Sequence, residues 1–417
     1  MQLKTILNRV EPFKSFVYGK VKSVQDAARP ALEVEVHARR NGRAVCSGCG
    51  RPGPGYDRLP ERRFEFVPLW GMAVYFVYAM RRVNCPKCGV TVERVPWAER
   101  KCHLTTSYRW FLAGWAKYLS WQEVADRFRT NWRNVFESVK HAVSWGLEHR
   151  ELGGIEALGV DEIQWRRGQR YLTLVYQIED GMKRLLWVAE ERTEESLRGF
   201  FQALDETVRQ SIRFVCSDMW QRYLKVVAEQ VPQALHVLDR FHIMKKINEA
   251  IDQVRRSEAR QSEEAGYKAV LKHSRWCLLK RPENLTEKQT VKLAELLKYN
   301  LKCVRSYLLR EDFQRFWEYI SPHWAGKFLD EWCTRTMRSR IEPMKKVVSS
   351  LREHRKLILN WFRARGSVSA GAVEGLNNKC KLTMRKAYGF RTPETIKIAL
   401  FHTLGDLPEP EFTHKFC

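Results

Sequence analysis

The chain is expected to fold as a multidomain α/β protein, and three patterns carry that expectation. Residues 1–103 are strand-like and rich in turns, and residues 104–150 switch to helical spacing. After Gly153-Gly154, three strand-like runs lead into alternating helix and strand. At 417 residues the chain is also too long for a single compact core.

In order, Ala31–Arg39 sets Leu32, Val34 and Val36 against Glu33, Glu35 and His37, the mark of a half-buried strand. Residues 62–69 and 72–83 read as a hairpin turning near Gly71. Ser120 and Glu123 form a capping-box signature ahead of Val124, Ala125 and Phe128. A second helix starts near Asn131 or Trp132 and runs through Val135, Val139 and Val143. The short link Arg129-Thr130-Asn131 suits a helix-turn-helix, although the spacing serves an ordinary helical hairpin equally well. Strands are then expected at 155–161, 170–179, 183–190, 212–217 and 235–239, with helices near 194–209 and 219–230, giving a mixed sheet. From 241 to 365 every segment reads as helix. The tail carries a helix around Glu374, a turn at 388–393 and a last helix. The expected boundaries are therefore 1–103, 104–150, 151–244, 245–365 and 366–417.

Lys and Arg total 73 against 48 Asp and Glu, a net charge of +25. A field of that size favours polyanions, nucleic acid first, though charge alone also suits a ribosome-associated or membrane-surface protein. A hydrophobic fraction of 44% with 15 Trp excludes a disordered chain. Eleven Cys scatter singly apart from two CxxC pairs, and the opening Met-Gln-Leu-Lys-Thr shows no secretory pattern, so a reducing cytoplasm is expected. The longest uncharged run, Phe66 to Met80, is broken by Pro68 and Gly71 and is too short to span a bilayer. A soluble protein with no membrane contact is expected.

Cys46-Ser-Gly-Cys49 and Cys85-Pro-Lys-Cys88 are two knuckles that can supply the four thiolates of a closed, structural Zn²⁺ site. Redox or chance pairing is the rival reading, and Cys102-His103 is a spare ligand pair nearby. Asn131, Arg133 and Asn134 open the second helix of the candidate helix-turn-helix, where side chains meet base edges. Asp161 and Asp218 end apolar runs, where an unpaired carboxylate is costly unless a cation sits beside it. Glu374 heads a helical face shared with Asn378, Lys381 and Arg385, which a plain solvated face explains as well. Two aspartates and a glutamate that converge could hold a pair of Mg²⁺ (or Mn²⁺) ions, which clamp the attacking and leaving oxygens of a phosphodiester. Asp239-Arg-Phe-His242 is either a helix cap with a satisfied histidine or an auxiliary pair near the phosphate, and Asp239 rivals Asp218 as second ligand. Cationic clusters such as Lys245-Lys246 and Lys345-Lys346 are interleaved with Trp317, Trp324, Trp332 and Trp361, most of which are expected in the core.

Taken in order, these blocks resemble the DDE transposases of bacterial insertion sequences, specifically the ISL-three family. The resemblance rests on CxxC…CxxC, the helix-turn-helix, Gly159-Val-Asp161-Glu, Asp218-Met with Tyr223 and Pro232 downstream, and Asp239-Arg-Phe-His242-Ile-Met-Lys. Glu374-Gly-Leu-Asn-Asn-Lys and Arg385-Lys-Ala-Tyr388-Gly complete it, so nearly the whole chain is covered. It implies an RNase H-like mixed-sheet core interrupted by an all-helical insertion, preceded by a zinc-binding β module and the helix-turn-helix. It further implies that Asp161, Asp218 and Glu374 are the catalytic metal ligands and that Asp239 and His242 are auxiliary. The partners implied are double-stranded DNA, as inverted-repeat ends and target, and a second copy of the chain in synapsis. A nucleoid-associated cytoplasmic location follows. The alternatives are a DNA-binding regulator or inactive domesticated transposase, and a nuclease or resolvase that cuts without strand transfer.

Overall fold

The computed structural model describes residues 3–25, 30–99, 101–264, 270–364 and 370–411. By packing, the chain falls into two units, Met1–Arg150 with Thr383–Cys417, and Glu151–Leu382.

In the first unit, α1 (Leu3–Val10) leads into β1 (Phe16–Gln25) and β2 (Pro30–Ala38). Two short strands, β3 (Ala44–Val45) and β4 (Pro52–Gly53), precede the long hairpin of β5 (Gly55–Leu69) and β6 (Met72–Cys85), on which β7 (Gly89–Val92) folds back. The main sheet runs β1-β2-β6-β5, with β2 and β6 parallel. In α1, Leu3, Ile6, Leu7 and Val10 recur at helical spacing, whereas β1 carries no clean alternation. The hairpin turns at Trp70-Gly71, both at positive φ (49 and 80), the primed geometry that follows sheet twist. Trp97 is fully buried within a ring of Phe13, Phe16, Phe64, Phe76 and Tyr78, with centroids 4.9 to 6.5 Å away.

Three helices follow, α2 (Thr106–Ala116), α3 (Trp121–Phe128) and α4 (Trp132–His149). The capping box forms as expected: Glu123 N–H donates to Ser120 Oγ (3.2 Å) and Ser120 N–H to Glu123 Oε2 (2.7 Å). Arg129 ends α3 in the left-handed region, and Asn131 caps α4.

In the second unit, β8 (Ala157–Arg166), β9 (Arg170–Glu179) and β10 (Met182–Glu190) form the antiparallel meander. α5 (Glu194–Gln202) and α6 (Glu206–Ser211) then lead to β11 (Phe214–Ser217), and α7 (Gln221–Gln230) leads to β12 (Leu235–Leu238). The sheet order is β10-β9-β8-β11-β12, with β11 parallel to both neighbours. Leu158 and Val160 point to the face covered by α5 and α7, where Leu197, Phe200, Tyr223 and Val227 complete a buried core. The expected helix at 194–209 is broken because Asp205 adopts an extended backbone before α6. β8 runs past the expected 155–161 to Arg166, so Asp161 sits mid-strand opposite Leu174 rather than at a strand end. Continued pairing with β9 overrides the polar sequence after Val160.

The stretch after β12 is helical as expected: α8 (Arg240–Glu264), α9 (Arg275–Leu279), α10 (Glu287–Leu296), α11 (Lys302–Gln314), α12 (Pro322–Arg338), α13 (Glu342–Glu353) and α14 (Arg355–Arg363). Its core is continuous with Leu224 of α7 and Leu238 of β12, so it is joined to the sheet rather than set apart. Trp332 is fully buried and Trp317 nearly so, whereas Trp324 is exposed. Asn360 Nδ2 donates to the His236 carbonyl at 2.8 Å, tying α14 back to β12.

α15 (Ala370–Lys386) covers the other face of β8. The last helix, α16 (Pro393–Leu404), lies in the first unit, which corrects the expectation that 366–417 belongs wholly with the second sheet. The reason is local: Ile396, Leu400 and Leu404 are buried, and Glu394 pairs with Lys140 of α4 at 2.6 Å. No described helix is long and apolar enough to cross a membrane.

Gly159 decides how close α15 comes. A Cβ there would stand 2.5 Å from Val373 Cγ2 and 3.1 Å from Ile178 Cγ2. Gly159→Ala should cost about 1–3 kcal/mol, the usual range for overpacking a filled core, in denaturant unfolding. Unchanged stability would show that α15 does not seat on β8 in solution.

Candidate active site

Three chain-distant segments meet at Asp161. On β8, its Oδ1 accepts the Glu162 N–H at 2.8 Å, and its Oδ2 accepts from Asn377 Nδ2 on α15. Asn377 is itself held, because Tyr176 O–H donates to its Oδ1 at 2.8 Å from the neighbouring strand β9. Burial pushes the Asp161 carboxyl up and the Asp218 charge adds to the effect, while His242, the Glu162 N–H and Asn377 oppose it.

Asp218 lies just past the end of β11. Its Oδ1 accepts the Trp220 N–H at 2.9 Å and its Oδ2 accepts from Arg192 Nη2 at 3.0 Å. The same Arg192 nitrogen is 2.8 Å from Glu162 Oε1, and the guanidinium stacks on Trp220 at 4.2 Å. Burial and the Asp218 charge push the Glu162 carboxyl up to about 8, with Arg192 pulling the other way. Because successive strand residues face opposite sides, Asp161 meets α15 while Glu162 meets Arg192.

Asp239 follows β12 and caps α8: its Oδ1 accepts the Phe241 N–H at 2.8 Å. His242 Nδ1 is 3.5 Å from Asp239 Oδ2. Burial pushes Asp239 up to about 6, His242 and the Phe241 N–H lower it, and the charges of Asp161 and Glu374 raise it. The cap on α8 is therefore present, while His242 Nδ1 is buried without a hydrogen-bond partner among the described residues.

Glu374 is exposed one turn before Asn377, on a face where Asn378, Lys381 and Arg385 are exposed too. Val373, Leu376, Asn377 and Cys380 form the buried side of that helix. The charge of Glu374 bears on Asp239, and among the described residues Asp161, Asp218 and Glu374 do not form a ready-made cluster of metal ligands as the four thiols below do. The donors are all carboxylate oxygens, the type that hard divalent cations take.

The four predicted thiols do gather. Sγ atoms of Cys46, Cys49, Cys85 and Cys88 lie within 4.8 Å of one another, and Cys49 and Cys85 are 3.6 Å apart. Tetrahedral zinc with bonds of about 2.3 Å places sulfurs roughly 3.8 Å apart, so the cluster fits the ion. The Thr91 hydroxyl and nearby backbone N–H groups pull the Cys46 thiol down to about 6, towards the thiolate a metal needs. Cys102-His103 is not part of that cluster.

At the start of α4, Asn131 Oδ1 accepts the Asn134 N–H at 2.7 Å, and Asn134 Nδ2 donates to Thr130 Oγ1 at 2.9 Å. Asn131 is thus committed to capping and the Asn134 amide to the Thr130 hydroxyl, while Arg133 is exposed. Sequence reasoning passed over Asn377, Glu162 and Arg192. The pattern held a trace of the first two: Asn377 falls one turn after Glu374, and Glu162 follows Asp161. Nothing local marks Arg192.

Residues 158–400 match the family model DDE_Tnp_ISL3, described as transposase. A transposase for insertion sequence element IS1001 from Bordetella parapertussis is 29% identical over 381 residues, 90% of this chain and 93% of that protein. A transposase for insertion sequence element IS1557 from Mycobacterium tuberculosis, in strains CDC 1551 and H37Rv, is 31% identical over 390 residues, 87% of this chain and 86% of the relative.

Two measurements check this geometry. An unfolded Asp titrates near 3.9, so below about pH 4 both states of Asp239 carry the proton and it leaves stability unchanged. Above pH 6, where Asp239 is ionised in the folded chain, its burial costs up to about 3 kcal/mol. In chelator-treated protein the melting temperature should therefore fall as pH rises from 4 through 6, and Asp239→Asn should make that fall shallower, leaving the part due to Asp161 and Glu162. A flat wild-type profile contradicts it. Separately, Cys85→Ser should reduce bound zinc, measured by elemental analysis, well below one ion per chain and lower the melting temperature.

Proposed function

The chain belongs to the ISL3 family of insertion-sequence DDE transposases, and we propose that Asp161, Asp218 and Glu374 are its catalytic carboxylates, with Asp239 and His242 auxiliary. The observation that carries this reading is the meeting of β8, the end of β11 and α15 around Asp161, through Asn377 and the charge of Asp218. The sheet order supports an RNase H-like core: a three-stranded meander followed by two parallel strands, with the first carboxylate on the central strand. The segment 245–365 is the insertion in that core.

Divalent ions, Mg²⁺ or Mn²⁺, would supply charge stabilisation and an activated nucleophile at the all-oxygen donor set. The chain's own groups orient those donors. Asn377 and the Glu162 N–H fix both oxygens of Asp161, and the Trp220 N–H and Arg192 fix those of Asp218. In the first step a water oxygen bonds to phosphorus at the element's end and the 3′-oxygen leaves as a hydroxyl. In the second, that 3′-oxygen bonds to a target phosphorus and the target's own 3′-oxygen leaves.

The zinc module at 1–103 and the helix-turn-helix at 104–150 hold the terminal inverted repeats. Arg133 is the foremost base reader, because Asn131 caps α4 and the Asn134 amide is bonded to Thr130. Asn378 and Lys381 of α15 steady the phosphates beside Glu374. Two chains bridge two ends as a homodimer, on nucleoid DNA in the cytoplasm.

Asp161→Asn, Asp218→Asn and Glu374→Gln should each lower Mg²⁺-dependent cleavage of an element-end duplex by on the order of 10³-fold, with end binding retained. Retained cleavage by any one of them removes that residue from the site. Arg192→Gln should cost about 10–100-fold and shift the Mg²⁺ midpoint upward, as groups that orient metal ligands do.

A further inference from the structure

The turn between α15 and α16 holds an aromatic ring fully in solvent on a fixed backbone. Tyr388 is 100% exposed at φ 53, in the left-handed region that side chains rarely adopt. Its flanks are anchored. Gly389 N–H donates to the Met384 carbonyl at 3.0 Å, and Thr392 caps α16 by accepting the Thr395 N–H at 3.2 Å. Phe390 packs on Trp121 of α3 at 6.1 Å, Trp121 on Trp132 at 5.8 Å, and Trp132 stacks on Phe136 at 5.5 Å. An aromatic run therefore joins this turn to the start of α4.

Exposed guanidinium groups border the run. Arg385 and Arg391 flank Tyr388, and Arg129 and Arg133 flank the start of α4. None of the four makes an ion pair among the described residues. Elsewhere in the chain many arginines do pair, for example Arg81 with Glu93 and Arg355 with Asp330.

We propose that this turn is a second DNA-contacting surface, on which Tyr388 stacks against an unpaired base while Arg385 and Arg391 hold the adjoining phosphates. The inference rests on the reading that α3 and α4 bind element ends. The chemistry favours this occupant: cations track the backbone, and an exposed aromatic face accepts any base. A rigid turn loses little freedom on binding.

The test compares two oligonucleotide duplexes of the element end, one fully paired and one forked by a few unpaired terminal bases carrying 2-aminopurine. Affinities of wild type, Tyr388→Ala, Tyr388→Phe and Arg133→Gln are measured by anisotropy, and stacking by quenching of 2-aminopurine. Wild type and Tyr388→Phe should prefer the forked duplex by about tenfold and quench its probe. Tyr388→Ala should lose both effects, keep the affinity for the paired duplex, and melt like wild type. Arg133→Gln should weaken both duplexes alike. A forked preference and quenching that survive in Tyr388→Ala overturn the stacking role and leave the helix-turn-helix reading standing. Equal binding of both duplexes by every Tyr388 form does the same. Wild type binding neither duplex, or Arg133→Gln binding both undiminished, counts against the helix-turn-helix reading itself.

Discussion

The second unit depends on one close approach, α15 lying directly against β8. Gly159 leaves the room and Val373 fills it. Tyr176, Asn377 and Asp161 then form a hydrogen-bonded chain that fixes the helix's rotation and height. Without that contact, Glu374, exposed as it is, would lie on a remote segment. With it, a residue far along the sequence bears on the acidic end of the sheet. The apolar contact supplies proximity and the polar chain supplies orientation, since a buried amide that misses its partners is costly.

The site also concentrates negative charge inside a strongly positive protein. Asp161, Glu162, Asp218 and Asp239 gather near one end of the sheet, and Arg192 and His242 are the neighbouring groups that oppose them. The outer field favours a polyanion, while the inner cluster favours cations. A phosphodiester suits both only when cations stand between it and the carboxylates. The raised carboxyls at Asp161 and Asp239 express the same demand, because burial without compensation holds on to protons.

Much of this was legible in the chain because its signals are local. The Ser120–Glu123 box, the Trp70-Gly71 turn and the CxxC knuckles each depend on residues a few positions apart. The meander and the helical stretch after β12 followed from periodicity. Three features were not legible, each for a tertiary reason. β8 continues past Asp161 because β9 pairs with it, against the polar sequence. α16 leaves the second unit because α4 offers it a partner surface and a lysine. Arg192 matters only because folding brings Asp218 and Glu162 to it. Glu374 lay between these cases: a helix and a polar face were readable, but how close that helix comes to β8 depends on Gly159, far away in the chain.

The tie between Asn360 and the His236 carbonyl means that the excursion beginning at Arg240 returns to the strand it left. A detour pinned at departure and return has a closure entropy that grows only logarithmically with its length. Length can therefore be added to exposed loops of that detour at little entropic cost, while its buried core stays bound to the sheet through Leu224 and Leu238.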